Sequence, residues 1–150
     1  MEKELSFEEQ AALAALKDFQ KKIKYAFKDE MLLLDVCLPE KERQREFGRL
    51  EELGDKFYRI AIGKYYYDLY PDWNGKKIAN RLHKVETNKY LEKMAQMYGW
   101  EEYLALSDKP TRHLADRVEA LVGAVFIDGG YEKAAEFVVY HFLPDRDRKY

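Results

Sequence analysis

The sequence predicts an all-α fold, and three observations predict it. Apolar residues recur at i, i+3 and i+4 along most of the chain. No alternating run of strand length stands out, and no internal repeat is visible. Capping residues, glycines and prolines cut the pattern into helix-sized pieces.

In chain order, Ser6 followed by Glu9 forms a capping box, and Ala12, Leu16, Phe19, Ile23 and Phe27 continue at helical spacing. Asp29 can cap a second, shorter helix with the apolar run Met31 to Leu34, limited by Pro39. A long third helix begins between Pro39 and Glu46. It carries Phe47, Leu50, Gly54, Phe57 and Ala61 on one face and runs toward Tyr70, where Pro71, Asn74 and Gly75 punctuate it. The basic segment Lys76 to Lys84 follows, with Ile78, Leu82 and Val85 as its expected buried stripe. Thr87 can cap the next helix, which holds Leu91, Met94 and Tyr98 and stops at Gly99. Ser107 to Pro110 reads as a loop. An apolar helix from about Arg112 ends at Asp128-Gly129-Gly130, and a last helix carries Ala134, Phe137, Val138 and Phe142.

Composition bounds the function. The chain's 150 residues make one domain, expected as a single catalytic unit with its core at about residues 7–143. With 47% hydrophobic and 15% aromatic residues it can bury a core, so whole-chain disorder is excluded. A formal net charge of -2 excludes a histone-like polycation, yet leaves room for a local basic face beside an acidic metal site. Cys37 is the one cysteine, so neither an internal disulfide nor a cysteine zinc site can form, and a reducing compartment is expected. The longest apolar stretch, Val118 to Ile127, is interrupted by Glu119 and is too short for a membrane span. Met1-Glu2-Lys3-Glu4 has no signal-peptide core behind it. A soluble, cytoplasmic protein is the expectation.

The informative feature is where the acids sit. Glu51 and Asp55, spaced i, i+4, share a face of the third helix, and Asp116 and Glu119, spaced i, i+3, share one on the late helix. Each pair lies beside apolar residues and close to a helix-interior glycine, Gly54 or Gly123. Such a glycine costs about 1 kcal/mol relative to alanine, and close approach of two helix backbones is a reason to keep it. If the helices cross there, four carboxylates converge in a partly buried pocket where like charge and desolvation oppose ionisation. A hard divalent cation resolves that conflict, and oxygen-only ligands favour Mg²⁺ or Mn²⁺ over Zn²⁺. The chemistry indicated is metal-assisted hydrolysis or phosphoryl transfer. Spacing alone leaves a second reading open, a solvated acidic face paired with lysine and arginine, which is the commoner use of such residues.

At these same residues the chain resembles the ribonuclease III family. Gly48-Arg49-Leu50-Glu51-Glu52-Leu53-Gly54-Asp55 is similar to that family's signature, whose core is Leu-Glu-aromatic-Leu-Gly-Asp. The segment Leu114 to Ala124 resembles its second acidic motif, and Phe126-Ile127-Asp128-Gly129-Gly130 continues the match. Phe27-Lys28-Asp29-Glu30-Met31-Leu32-Leu33-Leu34 fits an early family stretch, and Thr87-Asn88-Lys89 falls where the family often has Ser-Asn-Lys. The resemblance spans about residues 16 to 143. It implies a helical endonuclease domain that pairs as a homodimer and cuts double-stranded RNA in the presence of Mg²⁺, with Mn²⁺ as a substitute. It implies products with a 5′-phosphate, a 3′-hydroxyl and short 3′ overhangs. By resemblance Glu51, Asp55, Asp116 and Glu119 are the catalytic, metal-binding carboxylates, with Glu119 and Glu51 sharing the metal and Asp55 and Asp116 holding it directly or through water.

The chain departs from the family at several positions. Gly48 stands where the signature has an acid or amide, Glu52 replaces an aromatic that in some members plugs a socket on the partner, and Lys56 replaces a small or polar residue. Leu38-Pro39 does not match the usual Thr-His region. After Asp145 to Tyr150, most bacterial members continue into a double-stranded-RNA-binding domain, which this chain is expected to lack. It is either a shortened chain or a compact form, like the family's Mini type, that recognises RNA with the nuclease dimer alone.

Lys77, Arg81 and Lys84, at i, i+4 and i+7, make one basic helix face. It reads either as solvated surface or, together with Asn88 and Lys89, as an RNA-phosphate track. His83 and His113 read as structural or exposed. The Tyr65-Tyr66-Tyr67 run suits core and dimer packing better than base stacking, since a duplex offers no free bases. Two alternatives stay open. One is a non-enzymatic RNA-binding scaffold of the same fold, against which the retention of all four carboxylates argues. The other is a di-metal redox bundle, whose Glu-x-x-His pairs are absent.

Overall fold

The computed structural model describes residues 4–40, 42–106 and 113–143. It is helical, with no strand among the described residues. The helices are α1 (Phe7–Ile23), α2 (Glu30–Cys37), α3 (Arg43–Leu69), α4 (Gly75–Val85), α5 (Asn88–Met97), α6 (Glu101–Leu104) and α7 (Leu114–Phe142). The expected loop at Ser107 to Pro110, the helix start at Arg112 and the terminal segments lie outside the described residues.

Local chemistry sets several of the boundaries. The Glu9 N–H donates to the Ser6 hydroxyl at 3.1 Å, while the Ser6 N–H donates to the Glu9 carboxylate at 2.9 Å, completing the capping box. Asp29 accepts the Met31 N–H at 3.0 Å, and Thr87 accepts that of Tyr90 at 3.1 Å. Asn74, expected only as a break, also caps α4 by accepting the Lys77 N–H at 2.9 Å. The expected division at Asp128-Gly129-Gly130 is present as a kink within α7, where Gly130 adopts φ 85°, ψ 180°. Only glycine adopts that backbone without strain. Asp128 fastens the kink by accepting from the Tyr25 hydroxyl at 2.7 Å and from the Lys28 and Asp29 N–H groups, both at 2.9 Å.

α3 and α7 form the centre of the molecule, and the other helices wrap them. The expected α3 stripe of Phe47, Leu50, Gly54, Phe57 and Ala61 is buried throughout. Phe57 stacks on Phe126 at 4.4 Å between centroids and meets Tyr131 edge-on at 5.3 Å. Tyrosine hydroxyls tie the surrounding helices to the core. The Tyr58 hydroxyl donates to the Val85 carbonyl at 2.6 Å, and that of Tyr90 donates to the Phe142 carbonyl at 2.6 Å.

Some expectations are modified. The stripe of α4 is only half-buried at Ile78 and Leu82, with Val85 alone fully inside, because α4 lies on the surface of α3. α6 was not legible, being one turn that begins where Trp100 enters the core. The tyrosine run divides, with Tyr66 buried and Tyr67 72% exposed. His83 and His113 are exposed. His141, absent from the sequence reading, is buried among Tyr98, Trp100 and Phe137, with Nε2 2.8 Å from the Ile23 carbonyl oxygen.

Candidate functional site

The two helix-interior glycines meet. A Cβ placed on Gly54 would fall on the backbone carbonyl of Glu119 and lie 2.8 Å from the Gly123 nitrogen. One on Gly123 would fall on the carbonyl of Leu50 and lie 3.2 Å from the Gly54 nitrogen. The obstacles are backbone, so no side-chain rearrangement could make room. α3 and α7 therefore touch main chain to main chain, and this contact brings the two acid pairs side by side.

Glu51, Asp116 and Glu119 each offer a carboxylate oxygen, and these atoms all lie within 4.8 Å of one another. All three residues are half-buried. The fourth expected residue, Asp55, stands beside this group and not within it. It is hydrogen-bonded to Glu119. On its other side, Lys56 Nζ lies 2.9 Å from Oδ2 and Arg59 Nη2 lies 3.1 Å from Oδ1.

The electrostatics follow from that placement. Burial, then the hydrogen bond to Asp55, then the charges of Asp55, Asp116 and Glu51 push the Glu119 carboxyl up to about 8. The same hydrogen bond with Glu119, helped by Lys56 and Arg59, holds Asp55 below the usual carboxylate range against the opposing effect of its own burial. The pair thus favours keeping one proton between its two carboxyls. A set of oxygen donors that cannot all ionise at neutral pH fits a hard divalent cation, which would replace that proton.

The basic candidates occupy two places. Lys77 and Arg81 lie over the Trp73 ring, at 5.4 Å and 5.7 Å from its centroid, and Trp73 stacks on Tyr70 at 4.0 Å. Lys84, Asn88 and Lys89 are exposed around the α4–α5 corner. Glu86 in that corner forms an ion pair with Arg59, Oε2 lying 3.4 Å from Nε, so the corner connects to Asp55 through Arg59. The sequence reading missed Arg59 and Glu86. Arg59 had a local signal, since it stands four residues after Asp55 on the same helix; the reach of Glu86 depends on the tertiary fold. Glu52, where an aromatic was expected from the family, is exposed and pairs with Lys56 at 2.9 Å.

Comparison with known proteins gives a consistent result. The Ribonuclease III domain family profile matches residues 48–130. A curated relative named Ribonuclease 3 from Actinobacillus pleuropneumoniae is 29% identical over 131 residues, covering 82% of this chain and 59% of its own length. Ribonuclease 3 of Anaplasma phagocytophilum is 30% identical over 92% of this chain and 63% of its own length. That of Symbiobacterium thermophilum is 32% identical over 77% and 54%. The chain therefore spans only about three-fifths of such relatives. The nuclease domain of Campylobacter jejuni ribonuclease III superposes with a TM-score of 0.71 at 22% identity, covering 85% of this chain and 98% of that domain.

Proposed function

Because the chain belongs to the ribonuclease III domain family, we propose that it is a metal-dependent endoribonuclease that hydrolyses double-stranded RNA. The observation that carries this reading is the convergence of Glu51, Asp116 and Glu119 across the Gly54–Gly123 contact. Mg²⁺ is the proposed ion, with Mn²⁺ able to substitute. Glu51, Asp116 and Glu119 would hold it, and Asp55, standing beside them, would hold it through water. Bound there, the cation supplies Lewis acidity toward a phosphodiester and its attacking water.

The protein's own groups do the remaining work. The backbone contact fixes the spacing of the carboxylates, so that little reorganisation is needed when charge develops. Lys84, Asn88 and Lys89 are proposed to track RNA phosphates beside the site, and Lys77 and Arg81 to extend that face. Cleavage in the family's manner leaves a 5′-phosphate and a 3′-hydroxyl, and two subunits cutting opposite strands leave short 3′ overhangs. Residues 7–143 are read as the one catalytic unit, without an RNA-binding domain among them. No described helix is long and apolar enough to cross a membrane, and action in the cytoplasm is part of the proposal.

The second subunit is proposed to be another copy. Ile60 and Tyr67 of α3 and Ile127 and Tyr131 of α7 are large apolar residues left in solvent. Gly63 stands between the first two, and a Cβ there would meet nothing within 4 Å among the described residues. The nuclease domain of Campylobacter jejuni ribonuclease III shows structural flexibility in a region involved in its own dimer formation.

The test is a denaturing-gel cleavage assay on a long RNA duplex and its separate strands, with and without Mg²⁺, alongside Glu119→Gln. Mg²⁺-dependent cutting of the duplex alone, absent in the variant, is the expected result. A folded, dimeric wild-type protein that cuts nothing would replace the enzyme with an RNA-binding scaffold.

A further inference from the structure

Asp55 differs from the other three acids in the company it keeps. Both of its carboxylate oxygens face a cation, Lys56 at 2.9 Å from Oδ2 and Arg59 at 3.1 Å from Oδ1. Each cation also meets a second acid. Lys56 is also bound to Glu52 at 2.9 Å, and Arg59 to Glu86 at 3.4 Å, so each is held between Asp55 and a second acid. With its oxygens so engaged, Asp55 lies outside the group whose ligand atoms converge within 4.8 Å.

We propose that Lys56 and Arg59 are positioning residues that keep Asp55 out of the inner ligand set and weaken the site's hold on its divalent cation. This rests on the metal-dependent reading above. Its physical basis is competition. Every positive charge beside the cluster opposes a dication there, and every cation seated on Asp55 removes a carboxylate that could otherwise turn toward it. Lys56 and Arg59 are themselves 60% and 48% exposed, so solvent screens the effect and keeps it modest. A unit charge acting on a dication across several ångströms of water-like dielectric changes affinity about three- to tenfold. The site thereby binds its ion weakly enough for occupancy to follow the free concentration of the ion.

The experiment is calorimetric titration of Mg²⁺, and paramagnetic-resonance counting of free Mn²⁺, on wild type, Arg59→Ala, Lys56→Ala, Arg59→Lys and Glu119→Gln. Circular dichroism on each checks folding. Arg59→Ala and Lys56→Ala are expected to bind either ion about three- to tenfold more tightly than wild type. Arg59→Lys should restore the wild-type value, and the differences should shrink in high salt. A purely structural pair would leave ion affinity unmoved. Unchanged or weaker binding in Arg59→Ala and Lys56→Ala, with wild type binding and Glu119→Gln not, would overturn this inference alone. Wild type and Glu119→Gln binding equally poorly would overturn the metal reading, and this inference with it.

Discussion

Asp55 and Glu119 are hydrogen-bonded to one another across the α3–α7 crossing, which holds the Glu119 carboxyl above its usual range and that of Asp55 below it. In the metal-free protein, the folded state therefore keeps a proton that the unfolded chain gives up near pH 4.5. Between about pH 4.5 and about 8 the folded state binds more protons than the unfolded one, so stability falls as pH rises through that window. Glu119→Gln removes the effect. In a chelator, the variant should equal wild type near pH 5 and exceed it by on the order of 1 kcal/mol, a few degrees of melting temperature, at pH 8. Thermal melts across pH 5–8.5 measure the gap, and a gap that does not widen with pH would contradict the shared proton.

The glycine contact admits no methyl group. Gly54→Ala and Gly123→Ala would each drive a Cβ into a carbonyl of the facing helix, forcing the helices apart. Losses of about 2–3 kcal/mol or more are expected in urea denaturation, together with loss of duplex cleavage at temperatures where the variants remain folded.

Gly63 should behave in the opposite way within one chain. A Cβ there meets nothing, so Gly63→Ala should stabilise the isolated subunit by about 0.5–1 kcal/mol through helix propensity. If a second copy packs on this face, the same substitution should weaken self-association. Sedimentation equilibrium run beside urea denaturation separates the two effects, and unchanged self-association would place the dimer contact elsewhere.

Arg43 joins three helices, with Nε 3.1 Å from Glu9 of α1 and Nη1 2.7 Å from Asp35 of α2. The Ser6 N–H, and then Arg43, hold the Glu9 carboxyl down at about 2. A depressed carboxyl stabilises the fold fully above its ordinary value of 4.5, and that stabilisation is lost as pH falls toward 2. Glu9→Gln should flatten this part of the acid-denaturation curve. Arg43→Ala should cost about 1–2 kcal/mol at pH 7, since it leaves two partly buried acids without their cation.

How much of this was legible in the sequence depended on range. Ser6, Asp29 and Thr87 cap helices with backbone groups two or three residues away, so their roles are written locally. The carboxylate cluster was legible for a different reason. Gly54 and Gly123 are costly in a helix, and that cost pointed to the backbone contact which aligns Glu51 with Asp116 and Glu119. The separation of Asp55 from those three was not legible, because it depends on where the Arg59 and Lys56 side chains settle. Nor was the half-exposure of Ile78 and Leu82, since periodicity marks an apolar face but not how deeply its helix is seated. His141 escaped notice because its burial depends on Trp100 and Ile23 arriving from outside α7.

The crossing at Gly54 and Gly123 also bears on how the protein is made. One half of the carboxylate cluster is translated with α3 and the other only with α7, so the site can form only by closing a long loop, among the slower events in folding. On the ribosome, Glu51 and Asp55 wait in a helix whose partner has not yet been synthesised. No partial chain ending before Glu119 emerges can hold the proposed ion on all three converging carboxylates. On the proposed reading the nascent chain would cut no RNA until α7 docks on α3, so the contact that shapes the site also times its appearance.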